Sequence, residues 1–186
     1  MDLARRRLGN LADVCALDVG CGDGLFDRYL AGLGELDGAD ASEAMIERAR
    51  ETNPHARYHV ADGVGLPFAD DAFDLVFTVC VLHHVPPEER DRFAAELRRV
   101  TRPGGLVVVF EHNPWNPLTR LVVARCPFDE DTVLLGRREA SRRLATAGLR
   151  TVEHGYLLFS PWRATRLERL LARVPLGAQY YVAAQV

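Results

Sequence analysis

Residues 16–24, Ala-Leu-Asp-Val-Gly-Cys-Gly-Asp-Gly (ALDVGCGDG), are the stretch on which the fold turns. Ala16, Leu17 and Val19 make a short apolar run with Asp18 near its end, and Gly20, Gly22 and Gly24 follow at alternate positions. The residues after them, LFDRYLAGLG, carry helical spacing. A buried strand that passes through a glycine-rich turn into a helix brings backbone N–H groups close to a ligand. Two phosphate-binding versions of this turn do not fit. The dinucleotide fingerprint GxGxxG needs a glycine at position 25, where Leu25 stands. The phosphate loop needs a Gly-Lys-Ser/Thr ending, which the chain lacks.

Working outward, 186 residues make one domain, spanning 1–186, long enough to bury a core. The hydrophobic and charged fractions, 48% and 26%, are those of an ordinary soluble globular protein. A net charge of −3 provides no electrostatic footprint for nucleic acid or an anionic membrane. No apolar run approaches the roughly 18 residues of a membrane span, and the start, MDLARRRLGNLADV, lacks a signal-peptide apolar region. A cytoplasmic location is therefore expected. Cys15, Cys21, Cys80 and Cys126 show no CxxC or His/Cys ligand spacing, so reduced thiols and no metal site are expected. FDEDTV lacks the glycine and distal glutamate of a calcium loop.

Strands alternate with helices along the chain. After a short leading helix or tail, strands are expected at about 14–19, at ELDGADA ending in Asp40, at ARYHVADG, at FDLVFTVCVL (73–82), at GLVVVFEH, at RTVEHGYLLF and at QYYVAAQV. Helices are expected from about Gly24 to Leu33, at SEAMIERARETN with Ser42 as N-cap, at PPEERDRFAAELRRVTRPGG with Pro103-Gly104 at its end, at RREASRRLATAGL and at WRATRLERLLARV. The near-continuous apolar run at 73–82 marks a parallel strand buried on both faces. The pattern implies a parallel sheet with helices on both faces, whose ligand crevice lies at the carboxyl ends of the strands.

An acid on the strand and a wide glycine turn suit a zwitterionic, sulfonium-bearing ligand. ALDVGCGDG resembles motif I of the class I S-adenosylmethionine (SAM) dependent methyltransferases, and LPFADDAFDLV, LHHV and LRRVTRPGGLVVV agree with further landmarks of that family. The resemblance implies an α/β three-layer sandwich around a seven-stranded, mostly parallel sheet whose last strand is antiparallel. It also implies SAM as cofactor. Gly20, Gly22 and Gly24 would pass under its amino-acid part, with Asp18 organising the ammonium group. Asp40 would accept the ribose hydroxyls, Asp62 with Gly63 would meet the adenine, and Cys80 would lie at the methionine end.

Methyl transfer from a sulfonium is an in-line displacement that needs positioning, plus a base where the nucleophile is protonated. His83, His84 and His112, all at carboxyl ends of strands, are the candidate bases; His83 and His84 are each weighed against a packing or turn role, and His112, directly after the fifth strand, leads. In EHNPWNP, Glu111, Asn113 and Trp115 are candidate substrate contacts, and the two Asn-Pro pairs read equally as a rigid turn. The long connection 113–135 is a candidate lid, with LTRLVVAR as a short helix whose apolar face closes the pocket. The expected activity is methylation of an oxygen or nitrogen of a small molecule by a monomer or homodimer, without nucleic-acid or membrane partners. The alternatives are a SAM-binding protein of this fold without transferase activity, a nucleic-acid methyltransferase, and an NAD-type oxidoreductase disfavoured by Leu25 and Asp18.

Overall fold

The structure, a computed structural model, describes residues 1–62, 64–130, 132–158 and 172–186. One sheet holds seven strands: β1 Cys15–Val19, β2 Glu35–Asp40, β3 Arg57–Val60, β4 Phe73–Val79, β5 Thr101–His112, β6 Arg150–Leu157 and β7 Gln179–Gln185. Their order is β3-β2-β1-β4-β5-β7-β6. β1 to β5 pair in parallel, whereas β7 runs antiparallel between β5 and β6. This is the seven-stranded sheet with an antiparallel last strand that the sequence implies. The chain leaves β1 for β2 on one side and later returns to β4 on the other, so a crevice opens at the carboxyl ends beside β1.

Five α-helices are described: α1 Asp2–Leu8, α2 Glu43–Thr52, α3 Arg90–Val100, α4 Pro117–Val123 and α5 Arg137–Thr146. The strands explain their own apolar runs by having two buried faces. Val107 and Val109 pack with Phe93 and Leu97 of α3 and with Ala140 and Leu144 of α5. Leu106 and Val108, pointing the other way, pack with Ala4 of α1 and with Leu11 and Val14. α2 sets Ile46 and Ala49 against Cys21 and Tyr58. Tyr58 is the register partner of Gly38, whose absent side chain makes room for it: a Cβ there would lie 2.6 Å from the Tyr58 ring. Ser42 caps α2, its hydroxyl accepting the Met45 N–H at 3.4 Å, as expected.

Between α3 and α5 lies Arg90, 1% exposed. Its Nε donates to the Val85 carbonyl at 3.1 Å and its Nη1 to Glu139 at 3.3 Å, and Nη2 donates to the Val133 carbonyl. A buried guanidinium survives only with such partners.

Two expected elements differ. No α-helix forms over 24–33; a single 3-10 turn, Asp27–Tyr29, stands there. The connection must run back along β1, about 16 Å for five strand residues. A ten-residue helix rises only about 15 Å and leaves nothing for the turns. The segment instead follows a more open path, with Leu25, Phe26 and Tyr29 exposed and Leu33 buried. Pro103-Gly104 does not belong to the preceding helix. α3 ends at Val100 and Thr101 already pairs with Phe73, so residues 102–105 bulge within β5, with Gly104 at φ 81°. The helix expected at WRATRLERLLARV falls almost wholly outside the described residues.

Candidate active site

A cavity of about 540 Å³ opens at the carboxyl ends of β1, β2 and β4, a size that suits a small-molecule cofactor site. Gly20, Gly22, Asp40, Cys80, His84 and Phe128 are among the residues that line it.

The three motif glycines have three different reasons to be glycine. All are in the left-handed region, at φ 76°, 53° and 72°. At Gly20 a Cβ would lie 2.3 Å from the Val81 side chain, while Gly20 and Cys21 both donate to the Ala39 carbonyl, at 2.7 and 3.2 Å. At Gly22 a Cβ would meet nothing within 4 Å, so bare backbone faces the cavity. Gly24 stands apart from the cavity wall; its Cβ would lie 2.4 Å from Asn53 Nδ2, which donates to the Gly24 carbonyl at 3.0 Å. Gly24 thus docks the turn on the end of α2.

Asp40 ties the site together. Its Oδ2 accepts the Gly22 N–H at 2.8 Å and its Oδ1 the Ser42 N–H at 2.9 Å, and the residue lines the cavity. Asp62 is exposed; its Oδ1 accepts the Gly65 N–H at 2.7 Å, and its neighbours Ala61 and Val64 reach the cavity wall. Gly63 lies outside the described residues. Cys80 adopts φ 58° at the end of β4. Its Sγ accepts from Gln179 Nε2 at 3.3 Å, and burial pushes its thiol up to about 12, too high for a nucleophile near neutral pH.

Beneath the glycine turn Asp18 is 2% exposed, and its Oδ1 has no partner among the described residues. Burial, then the charge of Asp27, raises its pKa well above the ordinary carboxylate range. Asp27 is fully buried and accepts the Tyr58 hydroxyl at 2.7 Å. Burial raises its pKa too, against hydrogen bonds from Tyr58 and Asp18 that lower it. An acid whose folded pKa exceeds its unfolded value favours the fold below about pH 4, and that contribution is lost as pH climbs through the folded value. Asp27→Asn should flatten this decline. Urea midpoints of both proteins, measured from about pH 4 to 8, should show the variant gaining on the parent as pH rises; parallel curves would remove the pair from the pH dependence.

The histidines meet at the ends of β4 and β5. His83 is 1% exposed, with Nδ1 2.7 Å from Glu111 Oε2 and Nε2 3.3 Å from Asp129 Oδ1. Burial opposes charge on His83, but Glu111 and Asp129 outweigh it, so its pKa is raised. Both ring nitrogens are engaged, and the residue is not part of the cavity wall. His84 is, with Nε2 3.4 Å from Asp129 Oδ1. Burial and then the neighbouring His83 lower the pKa of His84, and the same two causes lower that of His112, whose ring centre is 5.1 Å from that of His83. Burial likewise opposes charge on Asp129, but a hydrogen bond with Cys126 and the His83 imidazole keep its pKa low.

The expected substrate contacts lie elsewhere. Glu111 is wholly buried and accepts from the His83 N–H, His83 Nδ1 and the His112 N–H at 3.3, 2.7 and 3.2 Å. Asn113, 1% exposed, donates to the Pro175 and Gly177 carbonyls at 3.1 and 2.8 Å and accepts the Trp115 N–H at 3.1 Å. Those contacts are what a rigid turn requires. Trp115 is 74% exposed and away from the cavity wall. α4 forms as expected, but Leu118, Leu121 and Val122 face outward; Phe128, beyond it, reaches the cavity. Asp129 reads in the sequence only as part of the acidic stretch FDEDTV; its pairing with His83 spans 46 positions.

Comparison with known proteins adds to this geometry. A family model described as a methyltransferase domain matches residues 17–109. The chain is 40% identical over 103 residues to the 2-methyl-6-phytyl-1,4-hydroquinone methyltransferase of Synechocystis sp., covering 52% of this chain and 31% of that protein. It is 33% identical over 116 residues to the tRNA (carboxymethyluridine(34)-5-O)-methyltransferase of Saccharomyces cerevisiae, covering 58% and 37%. These matches span well under half the length of either curated relative. The crystal structure of an S-adenosylmethionine dependent methyltransferase from Mesorhizobium loti superposes with a TM-score of 0.73 at 21% identity, covering 100% of this chain and 96% of that one.

Proposed function

The chain belongs to the methyltransferase-domain family of class I, SAM-dependent enzymes, and we propose that it moves the SAM methyl group to an oxygen or nitrogen of a small molecule. The observation that carries this reading is one cavity lined by the bare backbone of Gly22, by Asp40 and by His84. The cavity and the unpartnered buried Asp18 oxygen fit a cofactor that carries positive charge. SAM supplies an electrophilic methyl on its sulfonium. In this reading Gly20 and Gly22 cradle its amino-acid part over Asp18, Asp40 accepts from the ribose, Asp62 and Gly63 flank the adenine, and Cys80 borders the methionine end. His84, kept neutral by burial and by its charged neighbour, takes the acceptor's proton. His83, bridged between Glu111 and Asp129, orients the cluster, and the His112 ring lies tilted against it. Residues 113–135 cover the acceptor end through Phe128.

Calorimetric titration with SAM, its demethylated product and NAD tests the reading. Micromolar binding of the first two without NAD supports it, and absence of SAM binding removes it. His84→Gln should lower turnover about 100-fold with unchanged SAM affinity; equal turnover would reassign the base. The yeast relative named for tRNA makes nucleic acid the second reading. Salt-sensitive binding to oligonucleotides would favour it, against the acidic net charge of −3.

A further inference from the structure

We propose that His83, His84 and Asp129 form a binding site for a divalent transition-metal cation of the zinc type at the acceptor end of the cavity. Among the described residues this trio is the one group of histidine, cysteine and acidic side chains placed to hold an ion, with ligand atoms all within 4.8 Å of one another.

The argument begins with who donates to whom. Glu111 is a buried carboxylate 2.7 Å from His83 Nδ1, so Nδ1 carries the proton of that bond and Nε2 points its lone pair toward Asp129 Oδ1, 3.3 Å away. His84 Nε2 approaches the same oxygen at 3.4 Å. Three possible ligand atoms therefore converge. Ligands about 2.0–2.1 Å from a tetrahedral ion stand about 3.3 Å apart, close to the 3.3 and 3.4 Å that separate Asp129 Oδ1 from the Nε2 atoms of His83 and His84.

The surroundings agree. Metal-binding histidines characteristically donate their second N–H to a carboxylate, the part Glu111 plays. Two imidazoles and one carboxylate complete three of four tetrahedral positions, and His84 at the cavity wall leaves the fourth toward the acceptor. Binding releases any proton held on the two Nε2 atoms. The use made of the ion rests on the methyl-transfer reading: in the loaded protein His84 would be a ligand in place of the base, and an acceptor hydroxyl at the open position, its pKa lowered by the ion, would release its proton to solvent before its oxygen takes the methyl. The sequence offered no ligand spacing because the loop carrying Asp129 lies 46 positions from His83.

The test uses chelator-treated full chain titrated with zinc alone, and cobalt(II) as a spectroscopic substitute, with SAM titrated separately. The expected result is one zinc per chain and a tetrahedral cobalt spectrum. His84→Gln and Asp129→Asn should each weaken zinc at least 100-fold, and Glu111→Gln about 10–100-fold, while SAM affinity and the folded circular dichroism spectrum persist in the first two. Absence of saturable zinc binding overturns the proposal. So does binding that survives both ligand variants, or that is lost in Cys126→Ser, which would reveal another ligand set. Because zinc and SAM are measured separately, failure of this site and failure of the methyltransferase reading are distinguishable.

Discussion

Asp40→Ala should lose SAM affinity by about 10- to 150-fold, the equivalent of about 1.5–3 kcal/mol for hydrogen bonds to a charged group. The carboxylate at the end of β2 does two things at once. Its two oxygens hold the Gly22 and Ser42 N–H groups, at 2.8 and 2.9 Å, and its remaining lone pairs face the cavity. Removing it frees the glycine turn and strips the cavity of the proposed ribose acceptor together. Asp40→Asn separates the two: one amide oxygen satisfies one backbone donor, while the NH₂ group confronts the other. Its affinity should fall between the parent and the alanine variant. Calorimetric titration measures both, and an unchanged affinity in Asp40→Ala would take Asp40 out of the cofactor site.

The second large effect separates two glycines that the sequence presents as equivalent. Gly20→Ala should destabilise the fold by about 2–5 kcal/mol. That figure combines about 1–2 for a left-handed L-residue with about 1–3 for overpacking, where the new Cβ would lie 2.3 Å from Val81 Cγ2. It is a large share of a stability of about 5–15 kcal/mol. Gly22→Ala incurs only the conformational cost, since its Cβ meets nothing within 4 Å, but its methyl enters the cavity and should displace the cofactor. The two variants therefore fail in different assays, urea denaturation for the first and SAM titration for the second. Val81→Ala should restore part of the loss in Gly20→Ala, because it removes the atoms at 2.3 and 3.0 Å and leaves only the Cβ at 3.2 Å. Equal stability of Gly20→Ala and Gly22→Ala would contradict the packing account.

The sheet was legible because its signals are local. The run FDLVFTV, the alternating glycines and the Ser42 cap each report on neighbours a few residues away, and each falls where the structure has it. The open path at 24–33 was not legible, since helical spacing says nothing of the distance a connection must cover. Asp27 illustrates the consequence: on a helix it would be a surface acid, yet on the observed path it is buried against Tyr58, 31 positions on. The acceptor end was half legible. LHHV and EHNPWNP bring His83, His84, Glu111 and His112 together, but their roles depend on pairings across 28 and 46 positions. Only those pairings show Glu111 spent on His83 and Asn113 spent on the Pro175–Gly177 backbone.

The placement of β7 governs how the nascent chain matures. β5 is complete at His112, yet among the described residues its outer edge finds a partner only in residues 179–185, and β6 pairs with that same strand alone. A chain still on the ribosome after α5 therefore presents an apolar strand with one open edge, the template on which aggregates grow. Closure of the sheet is a late, long-range event, and on-ribosome proteolysis should find this half of the molecule cleavable until β7 arrives.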